Sequence, residues 1–250
     1  MVSSALYTPT THMPLPHLIL VPGLMCDAAS WAPMLPALQG HAHCTVVDHG
    51  QADDLIVMAQ QILDAAPETF HLAGHSMGGR VALEVMRLAP ERVQALALLG
   101  TGYRPKEAGA AGEKEVQTRQ ALLDLAQRDG VRVMAQAWVQ NMVAPSRLTD
   151  AALIEEIVHM FERKSEDVFK RQIRALLARP DASDVLQQLR VPTLLMAGEW
   201  DTWASPQQHQ AMADLMPAHP VVQVVAGSGH MMMMEKPEAV AAHFVSWLHG

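Results

Sequence analysis

Short apolar runs, each stopped by glycine, proline or a charged loop, alternate along this chain with stretches whose apolar residues recur every three or four positions. The runs at His17–Val21, 44–48, 69–73, 93–100, 191–198 and 221–225 predict buried strands. Between and after them, helices are expected at 28–38, Leu55–Ala65, 80–89, Pro206–Leu215 and 236–248. Leu55, Met58, Ala59, Ile62 and Leu63 make one helical stripe; Val81, Val85 and Leu88 make another, which Pro90 closes. Strands and helices alternating at this spacing imply βαβ units and a parallel sheet. The strands lack a polar face because helices are expected to cover both sides.

The rhythm changes at 103–190, where no strand pattern occurs and helices are expected at 113–128, 131–142, 150–161, 167–177 and 185–189. Strand alternation resumes at 191, so the stretch reads as an insertion rather than a separate domain. Residues 1–102 and 191–250 are expected to form an α/β core, and residues 103–190 a helical cap over the carboxyl edge of its sheet. Residues 1–16 are polar and proline-bearing and read as a loosely attached arm.

With 250 residues, half of them hydrophobic and only 18% charged, the chain is long enough for one folded α/β domain carrying a subdomain. A net charge of −8 argues against nucleic acid or anionic membrane as a partner. No basic-then-apolar leader and no apolar run approaching the roughly 18 residues of a membrane span is found, so a cytoplasmic location is expected. Cys26 and Cys44 make no disulfide framework, and Cys26 reads as a small buried hydrophobe.

The chemistry concentrates at Gly74-His75-Ser76-Met77-Gly78-Gly79, between a predicted strand and a predicted helix. A Gly-x-Ser-x-Gly turn in that setting is a nucleophile elbow: the serine is strained, its neighbours must be small, and the helix N-terminus favours a developing oxyanion. A nucleophilic serine needs a base, and the base needs an acid to hold its tautomer. Asp201 and His230, each directly after a predicted strand, fit those roles; Glu199 is a rival acid. His75 is read as shaping the elbow. His41, His43 and His49 invite a metal reading, but no carboxylate or cysteine set completes a site, so no metal is expected. The oxyanion donors are assigned to the N–H groups of Leu24, in the Pro22-Gly23 turn, and Met77. Met25, Trp31, Trp138, Met142, Trp203 and Met231 lie on segments that could wall an apolar pocket.

Together Leu20-Val21-Pro22-Gly23, the elbow, Pro90-Glu91-Arg92-Val93, Gly198-Glu199-Trp200-Asp201 and Gly229-His230 followed by Glu235-Lys236-Pro237-Glu238 resemble the α/β-hydrolase superfamily, from residue 17 to 248. The resemblance implies a Ser76–Asp201–His230 triad, an oxyanion hole at Leu24 and Met77, a helical cap and no cofactor. Pro22-Gly23 replaces the family's frequent His-Gly, the loop at 49–54 is short, and the strand before residue 17 is missing, which leaves a sheet of about six strands. The function expected is a serine hydrolase of the carboxylesterase type, cleaving small-molecule esters or thioesters. Carbon–carbon bond hydrolysis, lactone opening, perhydrolysis and a slow hydrolase-like receptor remain open on the same scaffold.

Overall fold

Because successive strand residues point to opposite faces, each apolar strand feeds two cores at once. The computed structural model describes residues 14–250, so most of the expected arm at 1–16 lies outside the described residues. Six strands form one all-parallel sheet in the order β2-β1-β3-β4-β5-β6, namely β1 (His17–Val21), β2 (His43–Val46), β3 (Phe70–His75), β4 (Val93–Leu99), β5 (Thr193–Gly198) and β6 (Val222–Val225). Ile19, Val21, Leu72, Leu96, Leu98 and Leu195 face one layer, with α2 (Leu55–Ala65) and α3 (Met77–Leu88). Leu18, Leu20, Ala73, Ala97, Leu99 and Met196 face the other. There they meet Trp31, α1 (Leu35–Leu38), α10 (Met232–Glu235) and α11 (Pro237–His249).

Between β4 and β5, which pair directly, the chain makes α4 (Gly109–Asp129), α5 (Val131–Trp138), α6 (Ala151–Glu162), α7 (Glu166–Leu177) and α8 (Ser183–Gln188). Capping is local and legible: Asp150 accepts from Leu153 N–H, and Ser165 from Val168 N–H. After β5, α9 (Pro206–Leu215) starts with a capping box of Ser205 and Gln208. No helix among the described residues is long and apolar enough to cross a membrane.

Three expectations shift. The helix expected at 28–38 is instead two 3₁₀ turns, Ala28–Ser30 and Ala32–Met34, followed by α1. Pro33 and Pro36 each lack the N–H that a continuous helix needs, so each opens a new turn. The elbow helix starts at Met77 rather than residue 80, with Gly78 and Gly79 inside its first turn. Trp31, expected near a pocket, is fully buried on the sheet face opposite α2 and α3, its ring 6.1 Å from Phe244 in an edge-to-face pair.

Trp31→Ala should lower the unfolding free energy by about 3–5 kcal/mol, the usual loss for truncating a buried tryptophan. The urea midpoint measures it, and an unchanged midpoint would contradict this placement.

Candidate active site

In an all-parallel sheet every strand delivers its carboxyl end to the same edge, and a crevice opens where strand order reverses. Here that reversal falls between β1 and β3, whose following loops carry Leu24 and Ser76. Ser76 sits between β3 and α3 at φ 54° and ψ −117°, a backbone state that side-chain-bearing residues rarely adopt, at a cost of about 1–3 kcal/mol. Neighbouring strand ends hold it there: Ser76 N–H donates to Leu99 O at 2.9 Å, and Thr101 Oγ1 donates to Ser76 O at 2.7 Å. The approach is close enough that a Cβ on Gly78 would run into the Val21 carbonyl, and one on Gly74 into the Gly78 carbonyl.

The loops after β5 and β6 complete the set. Asp201 Oδ2 lies 2.7 Å from His230 Nδ1, and His230 Nε2 lies 2.9 Å from Ser76 Oγ. An ionised carboxylate only accepts, so Nδ1 carries the proton and the Nε2 lone pair faces the hydroxyl. Asp201 Oδ1 also accepts the N–H groups of Trp203 and Ala204, both at 2.9 Å. Burial alone would push the Asp201 carboxyl up; His230 and the two N–H donors outweigh it and hold the group below its ordinary value. Gly100, at φ 51°, passes beside the pair, where a Cβ would stand 3.2 Å from Asp201 Oδ2. The rival acid Glu199 points elsewhere, accepting from Gly227 N–H at 2.8 Å.

Leu24, Ser76, Met77 and His230 line one cavity of about 750 Å³. Neither the Leu24 nor the Met77 N–H donates to another protein group among the described residues. Trp138, Met142, Trp203 and Met231 also line this cavity. Trp203 stands edge-on to His230 at 5.0 Å and 5.8 Å from the Trp138 ring. Met25 does not line it, nor does Trp31. Met25 is fully buried at φ 62°, and its N–H donates to Oε1 of the buried Gln172 on α7 at 2.8 Å. It anchors the turn carrying Leu24 rather than walling the cavity.

Several residues support the triad from outside it, and of these His209 carries no sequence signal. His75 Nε2–H donates to His230 O at 2.9 Å, bracing the loop after β6. His209 on α9 accepts Thr101 N–H at 3.3 Å and donates from Nδ1 to Ser205 O at 3.1 Å. Glu235 is buried and accepts Ala144 N–H at 2.7 Å and Gly229 N–H at 2.9 Å, while Met142 O accepts His230 N–H at 2.7 Å. These bonds tie the segment between β4 and β5 to the His230 loop. Burial, with Asp27 adding to it, pushes the Cys26 thiol up to about 12, so it stays protonated and unreactive.

The alpha/beta hydrolase family model matches residues 18–243. A pimeloyl-[acyl-carrier protein] methyl ester esterase of Klebsiella pneumoniae is 30% identical over 197 residues, covering 74% of this chain and 75% of that protein. The dihydrolipoyllysine-residue acetyltransferase component of an acetoin cleaving system from Pseudomonas putida is 28% identical over 249 residues. That match takes in 92% of this chain and 63% of the relative, so the chain spans less than two thirds of that protein. A thermophilic esterase from Thermogutta terrifontis superposes with a TM-score of 0.81 at 24% identity, covering 96% of this chain and 91% of that one; it shares the fold.

Burial, and after it the neighbouring His230, push His75 down to about 3; burial pushes His49 down to about 4. An unfolded imidazole takes its proton near pH 6.5, so between those values the unfolded chain binds more protons and stability falls as pH falls. From pH 6.5 to 5 each ring should contribute a loss of about 2 kcal/mol. Urea unfolding at pH 7.5 and 5.0 measures the difference, and equal stabilities would contradict neutral burial of these rings.

Proposed function

Because the chain belongs to the alpha/beta hydrolase family, we propose that it is a serine hydrolase of the carboxylesterase type, cleaving small carboxylic esters or thioesters through an acyl-enzyme on Ser76. One observation carries the reading: the unbroken chain of hydrogen bonds from Ser76 Oγ through His230 to Asp201, at 2.9 and 2.7 Å. Esterase relatives from several organisms support the reaction class.

Ser76 Oγ attacks the carbonyl carbon while His230 Nε2 takes its proton. Asp201 keeps the imidazole oriented and stabilises the imidazolium that results. The carbonyl oxygen becomes an oxyanion against the Leu24 and Met77 N–H groups, aided by the N-terminal end of α3. Collapse breaks the bond to the leaving alcohol or thiol, which receives the proton from His230. Water, deprotonated by the same imidazole, then attacks the acyl-enzyme and releases the acid with Ser76 restored. The helices at 103–190 act as a cap, supplying Trp138 and Met142 as apolar wall that keeps bulk water from the reacting carbonyl.

Ser76→Ala should lower kcat on p-nitrophenyl esters by roughly 10⁴-fold or more, and Asp201→Asn by about 10³–10⁴-fold, by analogy with other triads. Steady-state kinetics on folded variants checks both. Near-normal turnover in Ser76→Ala would end this reading.

A further inference from the structure

The cavity that contains Ser76 also holds an excess of positive charge. Five basic side chains and two carboxylates line it, in a chain whose overall balance is −8. Glu115 on α4 serves two guanidinium groups by itself. Arg179 grips both of its oxygens at 2.7 Å, and Arg119 reaches Oε1 at 2.9 Å. Arg80 stands beside this cluster and pairs with no carboxylate among the described residues: its Nη1 donates to the neutral Arg104 carbonyl at 2.9 Å. Burial pushes the Arg80 guanidinium down to about 9; Arg179 and Arg119 push the same way and Glu115 opposes them.

This half-buried cation is only partly compensated, by a carbonyl dipole and by Glu115, which two other guanidinium groups already share. Arg80 lies in the first turn of α3, four residues after Ser76, and both residues line the same cavity. The guanidinium therefore shares one cavity with a ligand whose carbonyl lies at Ser76. Its planar fork suits two oxygens of a carboxylate or phosphate, and the Arg119–Glu115–Arg179 cluster behind it adds a further net positive charge.

We infer that Arg80 and the cluster behind it form an anion subsite, so that the substrate carries a carboxylate or phosphate several bonds from its scissile carbonyl. The assignment of this subsite to a substrate rests on Ser76 being the nucleophile. Arg80 is its specificity-determining residue: it holds the charged end while the carbonyl lies at Ser76. Neutral esters of the same length leave the cation only partly compensated and bind less well.

Mono-p-nitrophenyl glutarate and p-nitrophenyl pentanoate present acyl chains of equal length, with and without a terminal carboxylate. The ratio of their kcat/KM values should favour the glutarate by about tenfold or more, mainly through KM. That ratio should collapse toward one in Arg80→Gln and be partly kept in Arg80→Lys. Isothermal titration of the wild-type protein with glutarate, and separately with inorganic phosphate, tests the subsite without turnover. Heat from one anion alone, absent in Arg80→Gln, supports the subsite and shows which group it takes; heat from both supports a general anion site. Arg80-dependent heat with neither ester hydrolysed would keep the subsite and discard the nucleophile. A ratio near one, with no heat from either anion, would overturn the inference.

Discussion

The turn between β3 and α3 is tenable only because nothing larger than hydrogen projects from Gly74 and Gly78 into the backbone around them. That contact lets α3 begin directly on the sheet and places Ser76 at its first turn in a strained conformation. A hydrogen bond to the Leu99 carbonyl, at the end of β4, and one from the Thr101 hydroxyl just beyond it keep the strain from relaxing. His209 then fixes Thr101 in turn. The position of one hydroxyl thus depends on close packing among β1, β3, β4 and α9, and the parallel sheet brings the loops after β5 and β6 to the same edge.

The helices between β4 and β5 are fastened to the rest of the chain at both sides of the cavity. Gln172 on α7 holds the Met25 N–H beside Leu24, and Met142 and Ala144 are held against the His230 loop by backbone bonds and by Glu235. Under the proposed function, the oxyanion donors and the base are therefore both positioned in part by the segment that walls the substrate space. The same segment supplies Glu115, Arg119 and Arg179, which stand beside Arg80 of α3 in the cavity lining.

Much of this architecture was legible in the sequence because its causes are local. Apolar runs marked all six strands, and the elbow glycines announced a tight backbone approach within six residues. Other features were hidden because distant contacts create them. Gln172 meets Met25 across 147 positions, and His209 gains its role only by folding onto Thr101. Trp31 and Met25 were misplaced for a related reason: an apolar residue near a catalytic loop can face either layer, and periodicity does not say which. Proline at 33 and 36 carried a readable signal against one continuous helix.

The central claim is that a single hydroxyl, poised by the packing of four elements, carries the acyl group during turnover. Rapid quenching of the protein with an activated p-nitrophenyl ester, followed by peptide mass spectrometry, addresses it directly. The account predicts a transient mass increment equal to the acyl group on the peptide containing Ser76, forming with the first equivalent of p-nitrophenol and decaying as acid is released. Turnover with no adduct on that peptide, or with the acyl group on another residue such as Cys26, would contradict it.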